Sequence, residues 1–214
     1  MEIIKIDLSI DWPDPFIIKK AAGGIQAKGS LVYPTDTVYG LGVDGLSVPA
    51  IERLFKIKKR PASKPVPVIV RDMAMAKRLA LIDRQTERIL EAVWPGPVTV
   101  ILRKKEIVPD ILTAGQSTIG LRIPDCKLVR AIMNNLEGPM TATSANFSGQ
   151  PSLTSSNRVI ETFNRAYPRP DLILAARHLP ASPPSTVLDL TGPQPKILRV
   201  GPTNKNDLLK LLRT

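Results

Sequence analysis

Little in this sequence could bind a metal through soft ligands or form a cross-link. Its 214 residues hold a single cysteine, Cys126, and a single histidine, His178, which excludes a disulfide framework and a Cys/His zinc site and suits a cytosolic chain. No apolar run reaches the roughly 20 residues of a membrane helix. Charges and prolines interrupt the N-terminal MEIIKIDLSIDWPDP, so neither a span nor a secretion signal is expected, and a cytoplasmic location is. Aromatic residues make up only 4% of the chain, and no basic stretch is interleaved with them, which argues against a base-stacking platform. The G-x-x-x-x-G-K-S/T phosphate loop does not occur, and no G-x-G-x-x-G fingerprint is read as following a strand.

What the chain does have is positive charge. Thirty Lys and Arg against nineteen Asp and Glu give a formal charge of +11, so the expected partner is an anion, either a nucleotide or a nucleic acid. Short β-rich runs at Leu31–Tyr33, Val66–Val70, Val98–Leu102, Ile119–Ile123 and Val187–Leu190 alternate with segments of helical period, a pattern of the α/β class. One helix is expected to bury Val48, Ile51, Leu54 and Phe55, with Ser47 as N-cap and Pro61 ending it. Others should follow Asp72, Asp83 and Asp125, cover Arg158–Arg165 behind Ser155 or Ser156, and span Asp207–Leu212. The prolines punctuate elements without forming a linker, so residues 1–214 read as a single domain.

Three polar constellations stand out. The loop Tyr33-Pro-Thr-Asp-Thr-Val-Tyr-Gly-Leu-Gly carries the hydroxyls of Thr35, Thr37 and Tyr39, with Gly40 and Gly42 permitting close backbone approach or positive φ; by itself it reads equally as a turn or a ligand loop. Lys56–Pro65 gathers five cations, including Lys58, Arg60 and Lys64. These could hold phosphate oxygens, or merely complement a helix C-terminus. Thr141–Ser152 is rich in hydroxyls and amides, among them Ser144, Asn146 and Ser152, suited to ribose and phosphate or to capping a following helix. Arg122 and Arg199 interrupt apolar strand patterns and are candidates to line an anion cleft, or lie on an exposed strand face. Neither Cys126 nor His178 sits in a triad-like setting, so no covalent step is expected.

Taken together and in order, PTDTVYGLG (Pro34–Gly42), KKRPASKP (Lys58–Pro65), WPGPVTVIL (Trp94–Leu102), IGLRIPD (Ile119–Asp125), TSANFSGQPS (Thr143–Ser152) and STVLDLTG (Ser185–Gly192), followed by ILRVG (Ile197–Gly201), resemble the threonylcarbamoyl-AMP synthase family, the YrdC-type domain, in its short single-domain form. The resemblance implies an open, twisted, mixed β-sheet with flanking helices around a basic concave cavity. It implies ATP as substrate, Mg2+ as its companion, and L-threonine and bicarbonate as the other reactants. The product would pass to a downstream threonylcarbamoyl transferase that modifies transfer RNA. It further implies that Lys58, Arg60, Ser144, Asn146 and Arg199 hold the nucleotide, Lys58 and Arg60 acting in catalysis, with Lys64, Thr118 and Ser152 as further nucleotide candidates. Thr35, Thr37, Tyr39, Arg122, Ala142 and Ser185 are placed on the threonine side. Ile69 stands where some longer relatives carry histidine.

The competing readings are a module contacting transfer RNA or double-stranded RNA through phosphates, without synthase activity, and a carbamoyl-adenylate-processing relative. Asp36, Asp44 and Asp189 are the aspartates from which metal ligands would be drawn.

Overall fold

A computed structural model describes residues 1–9, 13–204, 206 and 208. The expected helix at Asp207–Leu212 lies outside these residues, apart from Leu208.

The chain opens with β1 (Glu2–Lys5) and α1 (Pro15–Gln26). The helix begins where Asp14 accepts a hydrogen bond from the Phe16 amide at 2.8 Å and Pro15 presets the first helical φ. Ile18, Ala21, Ala22 and Ile25 form its buried stripe. After β2 (Leu31–Tyr33) and β3 (Gly40–Gly42), α2 (Val48–Lys58) follows Ser47, which caps through backbone position and not through its hydroxyl. Val48 turns outward, and the buried face is Ala50, Ile51, Leu54, Phe55, Ile57 and Lys58. The helix stops before Pro61, at Lys59, which takes a left-handed φ of 49°.

The middle of the chain supplies β4 (Val68–Ile69), α3 (Met73–Leu79), α4 (Arg84–Val93), β5 (Val98–Arg103), α5 (Asp110–Thr113), β6 (Thr118–Arg122) and α6 (Lys127–Asn134). Asp72 and Asp83 cap α3 and α4, each accepting at 2.7 Å from an amide three residues on. The cap of α6 is Cys126, one residue after the expected Asp125. The last third contributes β7 (Met140–Thr141), β8 (Thr143–Ser144), α7 (Ser156–Asn164), β9 (Leu172–Ala175), β10 (Thr186–Asp189) and β11 (Lys196–Arg199).

Where one mixed sheet was expected, there are two. The first runs β1-β9-β2-β3-β8, the second β11-β10-β5-β6-β4-β7, and each mixes parallel with antiparallel neighbours. The reason is local. Met140 and Thr141 pair with Ile69 and Val68 of the second sheet, while Thr143 and Ser144 pair with Leu41 and Gly40 of the first. Ala142 sits between, its amide donating to the Pro67 carbonyl at 2.7 Å. One extended segment therefore changes sheets at Ala142, and the space beside that seam is the cavity.

Burial on the flanking faces fastens the sheets. Leu41, Leu54, Ile173 and Leu188 are fully buried, each worth about 1.5–3 kcal/mol relative to exposure. Tyr33 is also fully buried, and its hydroxyl donates to the Thr141 carbonyl at 3.2 Å. Its ring lies close against the paired strand β3, where a Cβ on Gly40 would come within 2.8 Å of the ring and one on Gly42 within 3.0 Å. Gly40 and Gly42 thus serve close approach, not positive φ; the positive-φ glycines are Gly115 and Gly149.

Candidate active site

The cavity encloses about 330 Å³ and is lined from both sheets. Of the residues expected from sequence, Thr35, Thr37, Arg60, Thr118, Arg122, Ala142, Ser144, Ser152, Ser185 and Arg199 all border it. Lys58, Lys64, Tyr39 and Asn146 do not.

Each of those four is accounted for by its own contacts. Tyr39 is buried, and its hydroxyl donates to the Ala176 carbonyl at 2.9 Å, which fastens the loop to the end of β9; burial pushes its phenol up to about 12. Tyr39, expected on the threonine side, thus has its hydroxyl committed to the backbone after β9 and is not part of the cavity lining. Lys64 is an exposed turn residue whose carbonyl accepts from Arg60 Nε at 3.1 Å. Asn146 is 6% exposed. Its Oδ1 accepts from Ser144 Oγ at 2.5 Å, and its Nδ2 donates to the Gln150 carbonyl at 2.5 Å. Lys58 is 1% exposed, and its ammonium donates to the carbonyls of Ser144 and Asn146 and to Asn146 Oδ1.

The left-handed residue at Lys59 explains how Lys58 and Arg60 part company. It reverses the chain after α2, so that Lys58 points into the packed interior and Arg60 toward the cavity. Arg60 is held by two carbonyls, Lys64 through Nε and Pro65 through Nη2 at 2.7 Å. Burial pushes its guanidinium below the usual arginine value.

Arg122 is nearly buried and committed to a carboxylate: Nη2 donates to both oxygens of Asp36, at 2.6 and 2.7 Å, and Nε to the Gly96 carbonyl at 3.0 Å. Its Nη1 points to the Thr37 hydroxyl at 3.4 Å. Arg199 donates through Nε to the Ser185 carbonyl at 2.9 Å and through Nη2 to the Ser185 hydroxyl at 3.3 Å. Burial and then the charge of Arg122 lower its pKa, so two guanidiniums on this wall repel one another, an arrangement an anion between them would relieve. On the other wall, Thr35 Oγ1 accepts from the amides of Thr37 and Val38 and donates to the Val38 carbonyl at 2.7 Å. This local turn sets the Thr37 hydroxyl, 3.1 Å from that of Thr35.

Thr99 went unnoticed in the sequence. It is 6% exposed, lines the cavity and lies 2.9 Å from the Ser185 hydroxyl; its alternation with Val98 and Val100 in a strand beside the Trp-Pro-Gly-Pro turn was the available signal. Asp36 was offered as a metal ligand and is the partner of Arg122. Asp44 pairs with Lys28 at 2.5 Å, and Asp189 accepts from Thr191. Among the described residues no group of three or more His, Cys, Asp or Glu side chains is placed to hold a metal. The lining does not fit a protein-held Mg2+, and no step is derived through one. A Gly-x-Gly-x-x-Gly spacing does occur at Gly40–Gly45, but its first glycines form β3 itself, not a turn opening a helix. Ile69 lines the cavity from β4.

The sequence model of the Sua5/YciO/YrdC family, described as telomere recombination, matches residues 24–201. The chain belongs to this family. It is similar to the threonylcarbamoyl-AMP synthase of Pyrococcus abyssi (strain GE5 / Orsay), 35% identical over 196 residues, which covers 91% of this chain and 57% of that protein. The crystal structure of P. abyssi Sua5 complexed with L-threonine superposes with a TM-score of 0.91 at 33% identity, over 99% of this chain and 61% of that one. The crystal structure of Escherichia coli YciO superposes with a TM-score of 0.85 at 27% identity, over 99% of this chain and all of that one. The chain thus spans about three fifths of the length of the Pyrococcus proteins. No helix of the described residues is long and apolar enough to cross a membrane.

Proposed function

We propose that the chain makes L-threonylcarbamoyl-AMP from L-threonine, bicarbonate and ATP, releasing pyrophosphate and water. The observation that carries this reading is the convergence of Arg60, Arg122 and Arg199 with the hydroxyls of Thr35, Thr37, Ser144 and Ser185 around one cavity at the sheet seam. The similarity to a threonylcarbamoyl-AMP synthase and to a structure complexed with L-threonine supports it.

The chemistry is one of positioning. The threonine amine adds to bicarbonate, losing water, to give a carbamate; a carbamate oxygen then attacks the α-phosphorus of ATP and pyrophosphate leaves. No enzyme nucleophile is needed. Arg60 and Arg199 face the phosphates, where negative charge accumulates on the leaving group, and Ser144 supplies a neutral hydroxyl beside them. Toward a ligand Arg122 offers Nη1, because Asp36 takes Nη2 and the Gly96 carbonyl takes Nε. The threonine carboxylate and hydroxyl would meet this donor together with Thr37 and the Ser185–Thr99 hydroxyl pair. The described residues act as one catalytic unit in the cytoplasm, and the adenylate goes on to a transferase acting on transfer RNA.

Pyrophosphate release by the purified chain with ATP, Mg2+ and bicarbonate tests the reading, with L-threonine present, omitted or replaced by L-serine. Release that depends on L-threonine is the expected outcome. Salt-sensitive RNA binding with no amino-acid-dependent release would replace it with the RNA-contacting alternative.

A further inference from the structure

The sequence offers Lys58 and Arg60 as a pair with one task, but their surroundings differ. The ammonium of a lysine has three N–H donors. At Lys58 the Ser144 carbonyl, the Asn146 carbonyl at 2.7 Å and Asn146 Oδ1 at 3.3 Å account for all three. The Lys58 carbonyl accepts from the Ser148 amide at 2.9 Å, so the same residue grips residues 144–148 from both ends. Within that segment Asn146 binds Ser144 Oγ on one side and the Gln150 carbonyl on the other. The network leaves Ser144 on the cavity wall and Lys58 behind it.

We propose that Lys58 is a positioning residue that holds the 144–150 loop, and through it the Ser144 hydroxyl, in place for the nucleotide without touching the nucleotide itself. The nucleotide half of this rests on the synthase reading; the loop-holding half does not. Burial, aided by the positive charge of Arg60, pushes the Lys58 ammonium down to about 7, so the grip has its own pH dependence. Few other charges bear on it. The 144–150 loop has no titratable side chain. Lys59 lies over the Phe147 ring, and α5, which packs on α2, brings only Asp110, itself paired with Lys104.

Amide hydrogen exchange of the nucleotide-free chain separates the two roles. Lys58→Met keeps the length of the stem and removes the charge. The expected result is exchange roughly tenfold faster at residues 144–150 with β5 and β6 as protected as in the wild type. KM for ATP should rise about 10- to 100-fold with a smaller change in kcat, and Lys58→Arg should restore part of the loop protection. Unchanged exchange at 144–150 in Lys58→Met, with ATP affinity lost, would make Lys58 a direct phosphate ligand and overturn the proposal. If Lys58→Met does not fold, the wild-type chain decides. After correction for intrinsic base catalysis, protection at 144–150 should rise as pH climbs through the buried ammonium's titration, because opening the loop returns Lys58 to its ordinary, higher value, and constant protection overturns the proposal. A chain that binds no ATP would sink the synthase reading while the exchange result still judged the grip on the loop.

Discussion

On the side of the five-stranded sheet, polar groups bond to one another: Thr35 to its own turn, Thr37 to Thr35, Ser144 to Asn146, and Asn146 to Lys58 and Gln150. On the side of the six-stranded sheet and of the turn after α2, guanidinium groups are each anchored through part of their donor set while lining the cavity. The first wall is a matter of shape, fixed by hydrogen bonds within the chain. The second is a matter of charge held in place by backbone carbonyls and one carboxylate. A substitution on the first should alter geometry and stability together, whereas on the second the two can be separated, except where the cation is itself buried.

Arg122 is that exception, and it should give the largest effect. Arg122→Met leaves the half-buried Asp36 carboxylate without its partner, and unfolding free energy in a denaturant titration should fall by about 3 kcal/mol. Adding Asp36→Asn should recover part of the loss, and strict additivity of the two changes would mean that the pair is not coupled. Arg199→Ala, at the exposed rim, should lower kcat/KM for ATP by about 10- to 100-fold with an unchanged denaturation midpoint. A shifted midpoint would mean that Arg199 belongs to the framework of its wall. Gly40→Ala tests the shape wall: the new Cβ must displace the Tyr33 ring, at a cost of about 1–2 kcal/mol in thermal or chemical unfolding. Ordinary stability in that variant would contradict the close approach.

The smallest effect lies away from both walls. Burial raises the Asp171 carboxyl, but hydrogen bonds from Ser30 and Arg53 outweigh it and set the folded value below the ordinary one. Its contribution is therefore present above the unfolded carboxylate value and is lost as pH falls through the folded one. Because Asp171 and Arg53 are both substantially exposed, Asp171→Asn should cost no more than about 0.5 kcal/mol near neutral pH. The difference from wild type should shrink in acid, and a difference that grew there would reverse the sign.

The strands built on short β-rich runs were legible in the sequence: β2, β5, β6 and β10 fall within a residue of their expected limits. So were α3 and α4, because Asp72 and Asp83 bond locally to the turns they open. The two-residue strands were not, since Met140–Thr141 and Thr143–Ser144 are defined by partners a hundred residues distant in Tyr33–Gly42 or by Val68–Ile69, not by any period of their own. The helix α1 escaped notice although Asp14-Pro15 is a sound N-terminal signal; Gly23-Gly24 dilutes its apolar stripe. For the site, residue types and order pointed to ten of the residues that line the cavity. What they could not convey was direction. Lys58 and Arg60 are two residues apart and alike in charge, and only the left-handed turn at Lys59 sends one inward and the other to the cavity. Tyr39 likewise reads as a hydroxyl in a ligand loop until its fully buried ring is seen to aim at Ala176.

The five residues from Met140 to Ser144 run out of one sheet and into the other. Any rotation that pries the walls apart must bend the chain at Ala142, where its amide is tied to Pro67. Opening the cavity and fraying two sheet edges are then the same movement. The halves of the molecule should accordingly melt in a single cooperative step, and a ligand that grasps both walls would act as a clasp, raising the temperature of that step for each sheet equally.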